Sequence, residues 1–208
     1  MRAAAIPAQL FGDIDGAHVY DLCAAPGGKT LQLAGHGARV NALDRSANRL
    51  KRLRENLERM RLLEHVEVEA VDAQSWKPKE PASYILLDAP CSATGTLRRH
   101  PDLPYVRPSL DLKPLLDLQQ AMLRRAVGWL KPGGRLVYAT CSLIPAEGER
   151  QMARFLENGG AALGSLDAKA LGLSPDWLIS SGEVRLRPDY WAERGGMDGF
   201  YMGLIHKT

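Results

Sequence analysis

No apolar run in this 208-residue chain approaches the ~20 residues that a membrane-spanning helix requires. The opening MRAAAIPAQL carries one Arg and a few apolar residues, too short for a leader core followed by a cleavage site. A soluble, cytoplasmic chain is the expectation. Cysteine is scarce: Cys23, Cys91 and Cys141 are the only three, and an odd count argues against a disulfide framework. No Cys-x-x-Cys pair and no histidine at ligand spacing accompanies them, so no metal site is expected. That leaves them as small buried hydrophobes or as working thiols, and their neighbourhoods must decide. A large excess of either charge is also lacking. The formal net charge of +3 tolerates a polyanion without demanding one. Repeats and low-complexity tracts are absent.

What is present fits one ordinary domain: 45% hydrophobic and 25% charged residues are globular averages, and the length allows a substantial core. Nothing requires a partner subunit, so a monomer is expected. The basic residues are uneven. Arg45, Arg49, Lys51, Arg52 and Arg54 cluster within ten residues, but Glu55 and Glu58 share their helix, and a solvated face explains them. Arg98, Arg99 and His100 fall in an expected loop and are better candidates for phosphate contact.

Short apolar runs alternate with amphipathic ones. Strands are expected at His18–Leu22, Arg39–Leu43, Val66–Val71, Tyr84–Leu87, Arg135–Ala139 and Phe200–Ile205. One helix is expected over Ser46–Met60, with Leu50, Leu53, Leu57 and Met60 on its buried face. A second covers Leu115–Leu130, with Leu116, Leu123, Val127 and Leu130 inward, and a third covers Glu147–Leu156. Lys131–Gly134 (KPGG) reads as a helix stop and turn. The alternation predicts βαβ units and a doubly wound, mainly parallel α/β sheet. Such sheets bind ligands beyond the carboxyl ends of their strands. The unusual residues all follow strand ends: Asp21 to Lys29, Asp44, Asp72, Asp88 to Ser92, and Thr140 to Ser142. Five polar clusters therefore converge on one rim.

In D-L-C-A-A-P-G-G-K-T (Asp21–Thr30), Gly27 and Gly28 let the backbone approach a ligand where a Cβ would collide, and the helix amides beyond attract negative charge. The spacing is neither the dinucleotide nor the P-loop pattern. Asp44, ~20 residues on, can accept from both ribose hydroxyls. Asp72 can accept from an adenine amine or simply cap the following turn. Together these groups outline a nucleoside with a small charged tail, which suits S-adenosylmethionine better than a dinucleotide.

L-D-A-P-C-S-A-T-G-T-L-R-R-H-P-D (Leu87–Asp102) and Y-A-T-C-S (Tyr138–Ser142) follow two other strands. With DLCAAPGGKT and G-G-M-D-G-F at Gly195–Phe200, they resemble the RNA 5-methylcytosine methyltransferases, most closely the bacterial 16S ribosomal RNA Sun or Fmu (RsmB-like) family. The resemblance runs from about Asp13 to the end of the chain. It implies a Rossmann-like, class I fold dependent on S-adenosylmethionine, with a seven-stranded, mostly parallel sheet. It also implies methyl transfer to C5 of a cytosine in RNA, with 16S ribosomal RNA the expected substrate, through a covalent bond from cysteine to C6. A thiolate adding to C6 makes C5 enamine-like, which overcomes its poor nucleophilicity. By this resemblance Cys141 is the attacking thiolate and Cys91 assists product release. Cofactor contacts carry over to Cys23, Ala24, Ala25, Pro26, Gly27, Gly28, Lys29, Asp44, Arg49, Asp72, Ala73 and Asp88. Asp88 is further expected to hold the base edge, donating to N3 if a low-dielectric pocket keeps it protonated or accepting from the N4 amine. Lys29 can lower the pKa of the thiolate or meet a substrate phosphate. Pro90 stiffens the approach to Cys91, and Pro90, Arg98, Arg99 and His100 are the candidate RNA contacts. The target cytosine must be looped or flipped out.

The pattern departs from the family in places. Only about twenty residues precede the first motif, so the whole chain, 1–208, is expected to be a catalytic domain without the NusB-like helical RNA-binding domain. The upstream Gln-Asp pair is missing, and I-P-A-E-G-E follows T-C-S where Pro-Glu-Glu-Asn-Glu is commoner; Glu147 and Glu149 are kept. Weak RNA binding by the chain alone is expected. A small-molecule or protein methyltransferase of the same fold has no use for two strand-end cysteines. A transfer RNA substrate, or an idle RNA- or ribosome-binding module, remains an alternative.

Overall fold

The computed structural model describes residues 3–106 and 111–208. Its apolar runs join in one sheet. β1 (His18–Leu22), β2 (Arg39–Asp44), β3 (Val66–Ala70), β4 (Ala82–Asp88) and β5 (Leu130–Thr140) pair in parallel. Two three-residue strands follow, β6 (Ala161–Leu163) and β7 (Val184–Leu186), and then β8 (Phe200–Lys207), which runs antiparallel to β5, β6 and β7. The order is β3-β2-β1-β4-β5-β8-β6, with β7 also on β8. This is the doubly wound, mostly parallel α/β arrangement that the sequence predicts. Among the described residues it has eight strands rather than seven, because β8 pairs β7 through Phe200–Met202 and β6 through Ile205–Lys207. The middle strands are buried on both faces, and Ile85, Leu86, Leu87, Leu136, Val137 and Tyr138 are fully enclosed, which is why they read as unbroken apolar runs.

Helices cover both faces. α1 (Ile6–Gln9), α2 (Gly28–Gly35) and α3 (Ala47–Met60) share one core with Leu86, Val137 and Met202. After β4 comes the short α4 (Leu103–Val106), and then α5 (Leu112–Trp129) and α6 (Glu149–Leu156) pack on the opposite face, around Leu123, Tyr138, Met152 and Phe155. α3 starts where the Ser46 hydroxyl accepts the Arg49 amide at 3.3 Å. Its Leu50, Leu53 and Leu57 are fully buried, each worth ~1.5–3 kcal/mol over exposure. Met60 is exposed, contrary to the helical spacing. Arg61 turns left-handed (φ +57°), the Leu62 amide reaches back to the Leu57 carbonyl, and Leu62 packs on the core in Met60's place.

Other boundaries shift for local reasons. Leu116 is only half-buried, whereas Leu123, Val127 and Leu130 are buried. α5 ends before KPGG as expected, but that turn lies within β5 as a bulge, Ala82 pairing Leu130 and Tyr84 pairing Arg135. Gly148 is non-helical (φ −117°, ψ −103°), so α6 starts two residues later than expected, after a 3₁₀ turn at Pro145–Glu147. No helix joins β3 to β4, and Trp76 covers the sheet there, edge-on to Tyr20 (5.3 Å) and Trp129 (5.5 Å). Among the described residues, no helix is long and apolar enough to cross a membrane, and no group of three or more His, Cys, Asp or Glu could hold a metal ion.

Candidate active site

The carboxyl ends of β1, β2, β4 and β5, with the turn after β3, surround one cleft of about 330 Å³. Its wall includes Cys23, Ala25, Asp44, Arg49, Asp72, Ala73, Asp88, Pro90, Cys91 and Cys141. The convergence of strand-end residues on one rim is therefore physical. Leu43 and Val71 line the cleft on the strand side, and Leu115, Leu118 and Met122 close it from α5. Ala24, Pro26, Gly27, Gly28 and Lys29, also expected at the cofactor, are not among the wall residues.

The loop after β1 is shaped by backbone demands. Gly27 has φ +104°, and a Cβ there would lie 2.3 Å from Leu53 Cδ1, so the close approach is to α3 rather than to a ligand. A Cβ on Gly28 would meet no protein atom within 4 Å, so steric exclusion by the protein does not explain that glycine. Asp21 is fully buried at the start of the loop, and Thr30 Oγ1 donates to its Oδ2 at 2.6 Å. Burial pushes its carboxyl up to about 7, against the Thr30 hydrogen bond. An unfolded aspartate ionises near 3.9, so between about pH 4 and 7 the folded state holds the extra proton and loses stability as pH rises. Asp21→Asn is expected to remove that loss, on the order of 4 kcal/mol at neutral pH, read as a larger gain in urea midpoint at about pH 8 than at about pH 4. Equal gains at both would refute it.

Asp44 is buried at the end of β2; its Oδ2 accepts the Ala25 amide at 3.2 Å and its Oδ1 the Ser46 amide at 2.9 Å. Arg49 stands 3.5 Å from Oδ2 and donates to the Ala25 carbonyl. Asp72 is exposed at the cleft mouth. Its Oδ1 accepts the Gln74 amide at 2.8 Å, so it caps a turn and faces the cleft at once. Asp88 meets Lys29 Nζ at 2.6 Å and keeps a 31% exposed side chain. Lys29 thus gives Asp88 Oδ2 a cationic partner at the edge of the cleft. Burial works against the charge on Lys29, but Asp88 outweighs it and holds the ammonium above its ordinary range. The ring of Phe200 lies 5.4 Å from Nζ.

Cys91 and Cys141 follow β4 and β5, and their sulfurs lie 3.5 Å apart in the cleft as free thiols. The two are electrostatically unequal. The hydrogen bond from Cys91 pulls the Cys141 thiol below its ordinary value, assisted by Lys29 and opposed by burial and Asp88. The same bond, followed by burial, pushes Cys91 well up. Cys141 is thus the readier thiolate and Cys91 the retained thiol. Burial drives the Cys23 thiol, which also lines the cleft, up to about 12.

The candidate RNA contacts separate. Pro90 lies in the cleft, its carbonyl held by Gln119 Nε2 at 2.9 Å. Arg99 Nε donates to the buried Asp198 at 2.7 Å, and Arg98 lies 3.6 Å from the same carboxylate, both keeping partly exposed side chains. Their first task is to dock the Gly195–Phe200 turn, and Gly199 N–H also bonds Gly95 O at 2.8 Å. His100 is exposed.

A model of the family described as 16S rRNA methyltransferase RsmB/F matches residues 8–206. The chain belongs to the RsmB/F family. Ribosomal RNA small subunit methyltransferase B of Shewanella oneidensis is 39% identical over 194 residues, 91% of this chain and 43% of that protein. The Pseudomonas putida protein of the same name is 40% identical over 210 residues, 99% of this chain and 46% of that one. The chain thus spans less than half the length of these relatives. The crystal structure of NSun6 from Pyrococcus horikoshii superposes with a TM-score of 0.78 at 27% identity, covering 98% of this chain and 51% of that one.

Sequence reasoning left three groups of this RsmB/F chain without a role. Gln119 reaches the P-C-S loop from α5, and Leu118 and Met122 wall the cleft; their helical spacing signals only a buried face. Phe200 sits under Lys29 from β8, a pairing no local pattern announces. Glu147 is the third. The sequence keeps it, but nothing in its spacing says that both cysteine loops converge on it.

Proposed function

We propose that this chain transfers a methyl group from S-adenosylmethionine to C5 of a cytosine in RNA, with 16S ribosomal RNA as substrate and the cytoplasm as its place of work. The reading is carried by two sulfurs 3.5 Å apart in a cleft that also contains Asp44 and Asp72. It is supported by the RsmB/F family and by the relatives' name. We read residues 1–208 as a catalytic domain acting as a monomer.

The cleft fits a nucleoside cofactor. Each Asp44 oxygen has one amide partner and a lone pair left for a ribose hydroxyl, and Leu43, Val71 and Ala73 offer an apolar bed for a base. Asp72 stands at the mouth for an amine, and Arg49 beside Asp44 completes the polar wall. S-adenosylmethionine bound there supplies an electrophilic methyl group. The chain's own residues do the rest. Cys141 thiolate adds to C6 and moves the electron pair toward C5. Asp88, fixed by Lys29, accepts from the N4 amine and orients the ring. After C5 is methylated its proton passes to water, the C5=C6 bond re-forms, and Cys141 leaves as a thiolate. The Cys91 thiol stabilises that thiolate through its hydrogen bond.

Incubation with S-adenosylmethionine and either 16S ribosomal or transfer RNA, followed by bisulfite mapping, tests the reading. A protected cytosine in 16S RNA supports it; protection only in transfer RNA, or none, overturns it. Asp44→Asn is expected to weaken cofactor binding about 10–100-fold by calorimetric titration, since it removes a charged acceptor. An unchanged affinity would remove Asp44 from the cofactor site.

A further inference from the structure

Glu147 is wholly enclosed, and its carboxylate is held by four neutral donors rather than by a cation. Its Oε1 accepts the Ser92 amide and Gln119 Nε2, each at 2.9 Å, and its Oε2 accepts the hydroxyls of Ser92 and Ser142, each at 2.5 Å. Ser92 directly follows Cys91, and Ser142 directly follows Cys141. The serine of P-C-S and the serine of T-C-S therefore meet on one oxygen, one residue beyond each sulfur. Gln119 ties the same carboxylate to the Pro90 carbonyl, and the Tyr138 hydroxyl anchors the Glu147 carbonyl at 2.9 Å.

We propose that Glu147 is the positioning residue that sets the separation of the two thiols. A carboxylate only accepts, so both serine hydroxyls must point at it, and their loops are locked in one register. Both hydroxyls reach the same Oε2, a geometry that a rotated loop would lose. The Cys91 to Cys141 hydrogen bond, which divides the pair into thiolate and thiol, persists only while that register holds. A glutamine in this place offers one accepting oxygen and two N–H donors, so at least one of the four donors faces another donor. The loops would then part by tenths of an ångström, enough to weaken a contact of this geometry.

The inference rests on the reading of Cys91 and Cys141 as a working pair, and its test separates the two. Thiol spacing is read without RNA or cofactor, as the rate at which diamide oxidises the pair to a Cys91–Cys141 disulfide, mapped by peptide mass. Glu147→Gln is expected to slow bridging at least tenfold and to move the pH profile of Cys141 alkylation upward, toward that of Cys91→Ala. It is also expected to lower kcat about 100-fold while the KM for S-adenosylmethionine stays within twofold. Ser142→Ala alone should give an intermediate loss and should add nothing further in the Glu147→Gln background. If Glu147→Gln bridges and turns over as the wild type does, or if KM rises in step with any loss of kcat, the proposal is wrong. Should that variant fail to fold, the Ser92→Ala/Ser142→Ala double variant decides, and a wild-type bridging rate there overturns the proposal. A wild type that bridges rapidly but methylates no cytosine would instead sink the proposed function and leave the positioning role standing.

Discussion

RNA containing 5-fluorocytosine is expected to become covalently attached to the wild-type chain, and Cys141→Ala is expected to leave it free. Fluorine at C5 cannot depart as a proton does, so elimination is blocked and the thioether to C6 persists. Three thiols compete for the assignment, and the structure ranks them. Cys23 is driven up to about 12 by burial and is not ionised near neutrality. Cys91 is pushed well up because it is held as the hydrogen-bond donor to its neighbour and is buried. Cys141 receives that hydrogen bond, is helped by Lys29, and is drawn below its ordinary value. Loss of the nucleophile is expected to cost at least about 10⁴-fold in turnover with ordinary RNA, as in other sites whose groups act as a unit. Gel retention under denaturing conditions and mass mapping of the adduct decide it. A peptide cross-linked through Cys91, or an adduct surviving in Cys141→Ala, would reverse the roles assigned here.

That ranking shows how far a sequence carries. The strand ends were legible because buried parallel strands are apolar runs and their polar successors are conspicuous. Asp44, Asp72, Cys91 and Cys141 could thus be placed on one rim before any contact was known, and the cleft brings all four together. Pairings between distant segments were not legible. Lys29 and Asp88 are 59 residues apart, and no local rule forecasts their ion pair. The pairing of Arg98 and Arg99 with Asp198 was equally illegible, because Asp198 lies about a hundred residues on. Met60 failed because a left-handed cap exchanged it for Leu62, and β6 and β7 are three-residue edge strands too short to show a period.

On the proposed mechanism the hydrogen bond that lowers the Cys141 thiol also helps its sulfur to leave at the end of the cycle, and Cys91→Ala should expose both effects. Removing the donor returns the Cys141 thiol toward its ordinary range, so at neutral pH less of it is thiolate and addition slows. The pH profile of alkylation at Cys141 is therefore expected to lie at higher pH in the variant than in the wild type. Once bonded to carbon, however, that sulfur must leave as a more basic thiolate with no neighbour to bear its charge. Release is expected to slow by about 10²–10⁴-fold, the usual scale for a lost acid–base partner. Above the raised pKa addition recovers while release stays slow, so a covalent complex with ordinary RNA and S-adenosylmethionine should accumulate, and most strongly on the alkaline side. A variant that turns over without such a complex would mean that the thiol 3.5 Å away takes no part in letting the product go. An adduct that forms but peaks at low pH would mean that Cys91 acts on the base rather than on the sulfur.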